Sequence, residues 1–379
     1  MSALVSFFSD YMVQNVALGA ALLGLSSGLL GSFAVLRQQS LLGDALSHAA
    51  LPGICLGFIV AGSRHLGSIL LGALLAGTAA ALFMLLLTRR SRLKTDAGLG
   101  SALSIFFALG VVLLSYVQST DNASQGGLDS FLFGQAAAIL RSDLWVMGGV
   151  TLLALLLVAA LWKELKLVTF DPVFAATLGL PVEVLEVFLT VMIAFAVVVG
   201  LQLVGVVLMA AMIIAPVAAA RQWVRSLEAM VVLAALIGAA GGVTGALLSA
   251  LGRGLATGPL IILSMSAFVV FSLLFAPGRG LVWDAARQLR NRRVLRAQHL
   301  LTTLYQLSEK HEDPAYLVEE GMVNAYYATG TSSALVRLQT RGWVSREAHM
   351  PEEGGHWQLT PAGRLEAQRI LSSLSKPEV

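Results

Sequence analysis

Two ionisable residues, Asp44 and His48, stand four apart in the apolar segment LLGDALSHAALPGI. On a helix that spacing puts both on one face. An ionisable group inside a membrane span costs at least about 2.5–3.5 kcal/mol on insertion scales, and such groups usually mark a polar pathway. An Asp oxygen beside a His nitrogen suits a first-row divalent ion such as Mn, Fe or Zn. Pro52 has no N–H to give the carbonyl four residues back, which is that of His48. Gly43 and Gly53 allow another backbone to come close. The plainer reading is that Asp44 and His48 only hydrogen-bond each other at the membrane edge. Spacing alone leaves both readings open.

Other marked residues say less. Met209 and Met212 have soft sulfur atoms, but Met at helical spacing is usually packing. Pro216 frees the carbonyl of Met212, which more often makes a kink than a site. Gln202 suits either a pore lining or a bond across helices. Arg64 and His65 sit in a short turn and read as a solvated loop. The chain lacks a G-x-x-x-x-G-K-[ST] phosphate loop, a nucleophile elbow and an H-E-x-x-H motif. Neither an enzyme nor a permanently bound cofactor is expected, and if transport here needs ATP, another chain must supply it.

The elements that must hold these residues follow from composition. Of 379 residues, 57% are hydrophobic and 12% charged, with a mean hydropathy of +0.79. A soluble domain has about 25% charged residues, so an ordinary soluble globule is excluded, and so is a disordered chain. Residues 1–277 hold 23 charges, and the 102 residues after them hold 24. That step predicts a membrane domain over 1–281 and a soluble domain over 282–379. The single cysteine, Cys55, permits no disulfide within one chain. The start MSALVSFFSDYMVQNV lacks the basic residues of a cleaved signal peptide.

A spanning helix needs about 20 apolar residues. Val16–Leu36, Leu41–Gly62, Leu66–Leu87, Leu99–Val117, Leu144–Trp162, Ala229–Leu251 and Pro259–Ala276 qualify. The apolar stretch Val184–Ala220 reads as two tightly joined segments, with Gly200, Gly205 and Pro216 as breakers. The predicted fold is an all-α polytopic bundle of about nine spans, eight being possible, followed by a small α+β domain. Glycines such as Gly72, Gly77, Gly238, Gly241, Gly242 and Gly245 mark close helix contacts, since helices in lipid pack through small residues. Basic residues collect at Arg89–Lys94, Lys163–Lys166, Arg221–Arg225 and Arg279–Arg296, which the positive-inside rule places in the cytoplasm. The N-terminus is then outside, the C-terminus inside, and the span count odd.

Six segments in order resemble the membrane permease subunit of manganese, zinc and iron ABC importers. They are GDALSHAALPGI (43–54), DAGLGSALSIFFALGVVLLS (96–115), LDSFLFGQAAAI (128–139), TFDPVFAATLGLPV (169–182), LVGVVLMAAMIIAPVAAAR (203–221) and GPLIILSMSAFVVFSLLFAPGRGL (258–281). The resemblance implies a multi-pass subunit of the bacterial cytoplasmic membrane. It also implies a cytoplasmic ABC ATPase, an extracytoplasmic metal-binding protein and a second permease copy or paralogue as partners. It gives Asp44 and His48 to the metal ion as cargo. It makes the segment after Asp171 a short coupling helix that docks on the ATPase. The residues support such a helix: Asp171 as N-cap, Pro172 at its first position, Gly179 at its end, and Phe174 and Leu178 four apart as an apolar knob. A plain amphipathic connector is the alternative.

The tail departs from the minimal family pattern. Trp283–Lys310 reads as an Arg-rich helix and Thr331–Arg341 as a helix closed by Gly342. WVSRE, a PEEGG turn and HWQLT read as a two-strand wing, and Thr360 and Pro361 start a last helix. TSSALVRLQTRGWVSRE and WQLTPAGRLEA are similar to the winged-helix domain of metal-dependent, iron-dependent-repressor-like regulators. DNA binding is not expected, because residues 297–379 carry seven basic and ten acidic residues and the wing tip holds Glu352 and Glu353. His349 and His356 read as solvated. Two other functions compete with metal import: a siderophore or cobalamin permease, and a membrane-tethered regulator. The Asp–His pair favours a bare ion over a bulky ligand, and the acidic tail disfavours the regulator.

Overall fold

The computed structural model describes residues 11–61, 66–119, 134, 139–252, 255–311, 313, 316–327, 331–347 and 355–374. Arg64, His65, His349, Glu352, Glu353 and nearly all of segment 128–139 lie outside them. The chain divides into two compact units, 1–280 and 281–379.

The first unit is a helical bundle. Its helices are α1 (Tyr11–Leu36), α2 (Leu42–Ala49), α3 (Leu51–Ala61), α4 (Leu66–Arg90), α5 (Thr95–Ser119) and α6 (Arg141–Ala160). Next come α7 (Trp162–Phe170), α8 (Pro172–Thr177), α9 (Val182–Val204), α10 (Val206–Trp223), α11 (Leu227–Leu251) and α12 (Thr257–Phe275). Among the described residues eight helical stretches are long and apolar enough to cross a membrane, with α2 and α3 forming one of them. The shorter apolar helix α10 is additional.

The long apolar stretch breaks once, at Gly205, where φ is 87°. Gly200 and Pro216, also expected as breakers, lie inside α9 and α10. At Gly200 a Cβ would sit 2.6 Å from Leu23 Cδ1, so this glycine makes room for a neighbour instead of turning the chain. Pro216 costs α10 one backbone hydrogen bond, and the helix runs through it.

At the core of the bundle α1 and α11 meet backbone to backbone. A Cβ on Gly238 would lie 2.1 Å from the Gly24 carbonyl oxygen. Only a residue without Cβ tolerates that approach, and small residues are what let helices pack in lipid.

The second unit has its own apolar core. It contains α13 (Leu281–Lys310), β1 (Leu317–Glu319), α14 (Glu320–Tyr327), α15 (Ser332–Thr340), β2 (Val344–Glu347), β3 (His356–Leu359) and α16 (Pro361–Leu374). The antiparallel sheet has three strands in the order β1-β3-β2, not the expected two. Leu335, Leu338, Val344, Trp357 and Leu359 are buried, Trp343 packs partly buried against them, and α13 adds Leu300, Leu301, Leu304 and Tyr305. Gly342, at φ 71°, ends the turn after α15. Thr360 Oγ1 accepts the Gly363 amide at 3.1 Å and so caps α16. His356, expected in solvent, is 5% exposed because it lies on the central strand between Glu319 and Glu347.

Gly238→Val should separate α1 from α11. Overpacking costs ~1–3 kcal/mol and more when the obstacle is backbone. Melting of the detergent-solubilised protein should fall well below that of Gly149→Val, since a Cβ at Gly149 meets nothing within 4 Å. Equal melting temperatures would show that the α1–α11 contact is dispensable.

Candidate functional site

Helix α2 positions the acid and the imidazole. Its inner face buries Leu42, Ala45, Leu46 and Ala49, which leaves Asp44 and His48 on the partly open side. Asp44 lies in the first turn and His48 in the last, the ends where a helix favours an anion and a cation respectively. His48 Nε2 stands 3.5 Å from Asp44 Oδ1, and the side chains are 25% and 35% exposed. That gap is too long for a good hydrogen bond. Two donors each about 2.1 Å from one ion at a tetrahedral angle stand roughly 3.4 Å apart, so the separation suits a shared ion.

Neighbouring elements fix the pair. The His48 ring meets Phe107 of α5 edge to face, with centroids 5.1 Å apart. Ser47 Oγ donates to the Asp44 carbonyl at 2.9 Å. The helix pauses at Ala50, and Pro52 offers the His48 carbonyl no N–H. Gly53 packs against the Gly72 backbone as expected, whereas Gly43 meets the Ile213 side chain. Phe107 carried no signal in the sequence, being one Phe in an apolar run. Among the described residues no group of three or more His, Cys, Asp and Glu is placed to hold a metal. Met209 and Met212 are fully buried in the apolar core.

The segment after Asp171 forms the short helix α8. Asp171 Oδ1 accepts the Phe174 amide at 2.9 Å, and Pro172 takes the first position. The helix ends at Thr177, so Leu178 is its C-cap and Gly179 follows at φ 79°. Phe174 and Leu178 are 51% and 59% exposed. Ala175 is buried with Val168 of α7 and Leu185 of α9. The helix therefore has one anchored face and one exposed apolar face.

Several basic residues at the helix ends are tied to acids or carbonyls. Arg37 Nη2 pairs with Glu186 at 2.7 Å, and Arg89 Nη2 pairs with the same carboxylate at 2.6 Å. Lys166 pairs with Glu228, and Arg279 Nη1 donates to the Arg221 carbonyl at 3.2 Å. Burial holds the Arg37 guanidinium below its ordinary pKa, Glu186 opposes that shift, and Arg89 adds to it.

The family model described as the ABC 3 transport family matches residues 9–276. The chain belongs to that family. The manganese transport system membrane protein MntC of Bacillus subtilis (strain 168) is 47% identical over 350 residues, covering 92% of this chain and 79% of that protein. That alignment is too long for residues 1–280 alone, so the likeness reaches into the second unit. The zinc transport system membrane protein TroC of Treponema pallidum (strain Nichols) is 46% identical over 290 residues, covering 76% of this chain and 97% of that protein. A chain of PsaBC from Streptococcus pneumoniae, solved in complex with Fab, matches with a TM-score of 0.63 at 32% identity, over 73% of this chain and 97% of that one. Like them, this ABC 3 chain is a multi-pass membrane protein.

Asp171→Ala removes the acceptor for the Phe174 amide. Loss of an N-cap costs about 1 kcal/mol, or roughly fivefold in local opening. Hydrogen exchange at Phe174 should speed up by that factor while amides inside α9 stay unchanged. No change at Phe174 would mean that the cap does not hold α8.

Proposed function

We propose that this chain is the permease subunit of an ATP-binding-cassette importer for a divalent transition-metal ion, Mn, Zn or Fe. The Asp44–His48 pair carries the reading: one carboxylate and one imidazole, partly open, at a separation suited to one ion. A bulky siderophore or cobalamin has no use for such a pair. Two side chains hold an ion loosely, as a transit site must, because cargo has to leave as well as enter. Water, a backbone carbonyl or the second permease subunit supplies the remaining ligands. The cargo undergoes no bond chemistry, and ATP is hydrolysed on the partner subunit.

The other partners are those that the family resemblance implies. By the positive-inside rule α8, Arg89, Lys166 and Arg279 face the cytoplasm, and the second unit is cytoplasmic too. There the exposed Phe174 and Leu178 form the knob that enters the ATPase. An extracytoplasmic metal-binding protein delivers the ion at the opposite face, and a second permease copy or a paralogue completes the pathway. The second unit acts as a winged-helix-like protein-contact module, since its acidic balance opposes DNA.

Asp44→Ala and His48→Ala should each abolish metal uptake in a complex that still assembles, measured with Mn, Zn and Fe in turn. Normal uptake in both variants would remove the pair from the pathway. Phe174→Asp should stop the ATPase co-purifying while the bundle keeps its melting temperature; an unchanged yield would return α8 to a plain connector. The fragment 297–379 should melt cooperatively and leave duplex DNA unshifted at moderate salt, because its net charge of −3 cannot neutralise phosphates. Submicromolar, sequence-selective binding would revive the tethered regulator.

A further inference from the structure

Helices α8 and α2 are distant in sequence, yet a short series of contacts joins them. Leu185, in the first turns of α9, is buried against Ala175 of α8, so a push on α8 is felt at the start of α9. Glu186 is the next residue. Its carboxylate holds Arg37 Nη2 at 2.7 Å through one oxygen and Arg89 Nη2 at 2.6 Å through the other. Arg89 lies in the last turn of α4 and Arg37 follows the end of α1, so cations at two helix C-termini meet an acid near the start of a third. The Arg37 side chain is 9% exposed and that of Glu186 21%, whereas Glu183, which pairs with Arg89, is 83% exposed.

From Arg37 the chain runs into α2 through a hydrogen-bonded corner. The Gln39 amide bonds the Ala34 carbonyl at 2.9 Å, and the Gln38 amide bonds that of Val35 at 3.1 Å. This is a Schellman closure of α1, with Gln38 at φ 57° where glycine is usual. Among the described residues Gln38 is the only non-glycine with positive φ. The next bond runs from the amide of Leu42, the first residue of α2, to the Gln39 carbonyl at 3.0 Å. Little slack remains between the Glu186 carboxylate and the helix that carries Asp44 and His48.

We infer that Glu186 is a positioning residue for ion movement, relaying displacement of α8 through Arg37 to α2. The inference rests on the reading of this chain as an ATP-driven metal permease. As α8 shifts with the ATPase, Glu186 moves with it and draws the α1–α2 corner, which changes the setting of the Asp44–His48 pair. Arg89 holds the same carboxylate from α4 and keeps it aimed at Arg37. Glu186 touches no cargo, so its loss separates ATP turnover from transport instead of abolishing both.

The test uses the full importer complex in vesicles and reads Mn uptake and ATP hydrolysis together. Glu186→Gln should leave assembly and hydrolysis within about twofold of the parent while ions moved per ATP fall roughly fivefold or more, the scale of a coupling energy. Arg37→Gln should give the same loss, and Arg37→Lys should restore most of the ratio. Glu183→Gln should leave the ratio unchanged. An unchanged ratio in Glu186→Gln, an equal fall of uptake and hydrolysis, or failed assembly of both Glu186→Gln and Arg37→Gln overturns the inference. A parent complex that moves no divalent ion defeats the functional reading itself, a failure recognised by its appearing before any substitution is made.

Discussion

At Gly24 and Gly238 the backbones of α1 and α11 come so close that a Cβ on either would strike the other's carbonyl oxygen. The contact extends along the same faces, with Gly28 against the Ala234 carbonyl and Gly242 against that of Ala20. Lipid supplies no hydrophobic drive between helices, so dispersion at short range must do the binding. Once α1 is held there, α10 is set against it, because a Cβ at Gly31 would lie 2.4 Å from the Ile213 carbonyl oxygen. The Ile213 side chain in turn presses on Gly43 of α2. The acid and the imidazole are thus placed by a stack of small residues, none of which bears a charge.

The chemistry is sparse by design of the site. A structural metal site surrounds its ion with about four protein ligands. In the site proposed here one short helix would offer two, both partly open. Such a pair tells a divalent ion from an organic molecule but does not choose among Mn, Zn and Fe, which all accept oxygen and nitrogen donors. In the proposed reading the energy would come from outside, through a six-residue helix whose apolar tip is exposed.

What was legible in the sequence was what obeys local rules. Asp44 and His48 share a face because of the helical repeat, and Asp171 with Pro172 announces a helix start whatever surrounds it. The broken stretch 184–220 was legible as broken but not at which glycine. Gly200 and Gly205 look alike in the chain, and only packing against Leu23 keeps the first helical. Strand β1 is three residues long, too short to show an alternating pattern, and it exists because β3 offers it an edge. His356 looked polar and therefore exposed, but the same sheet buries it. The Arg37–Glu186–Arg89 cluster joins three helix ends far apart in sequence, and no spacing rule reports that.

Only five residues separate the end of α12 from the start of α13, and the core of the second unit closes without help from the bundle. A folded module on so short a leash meets anything bound to its own complex at an effective concentration in the millimolar range, on the order seen for short linkers. Weak, transient recognition is then enough to keep it occupied. An interaction of that strength would vanish on dilution of the free fragment, yet it would persist in the intact chain and be switched by small changes in charge. The fusion fixes the second unit in equal proportion to every copy of the bundle.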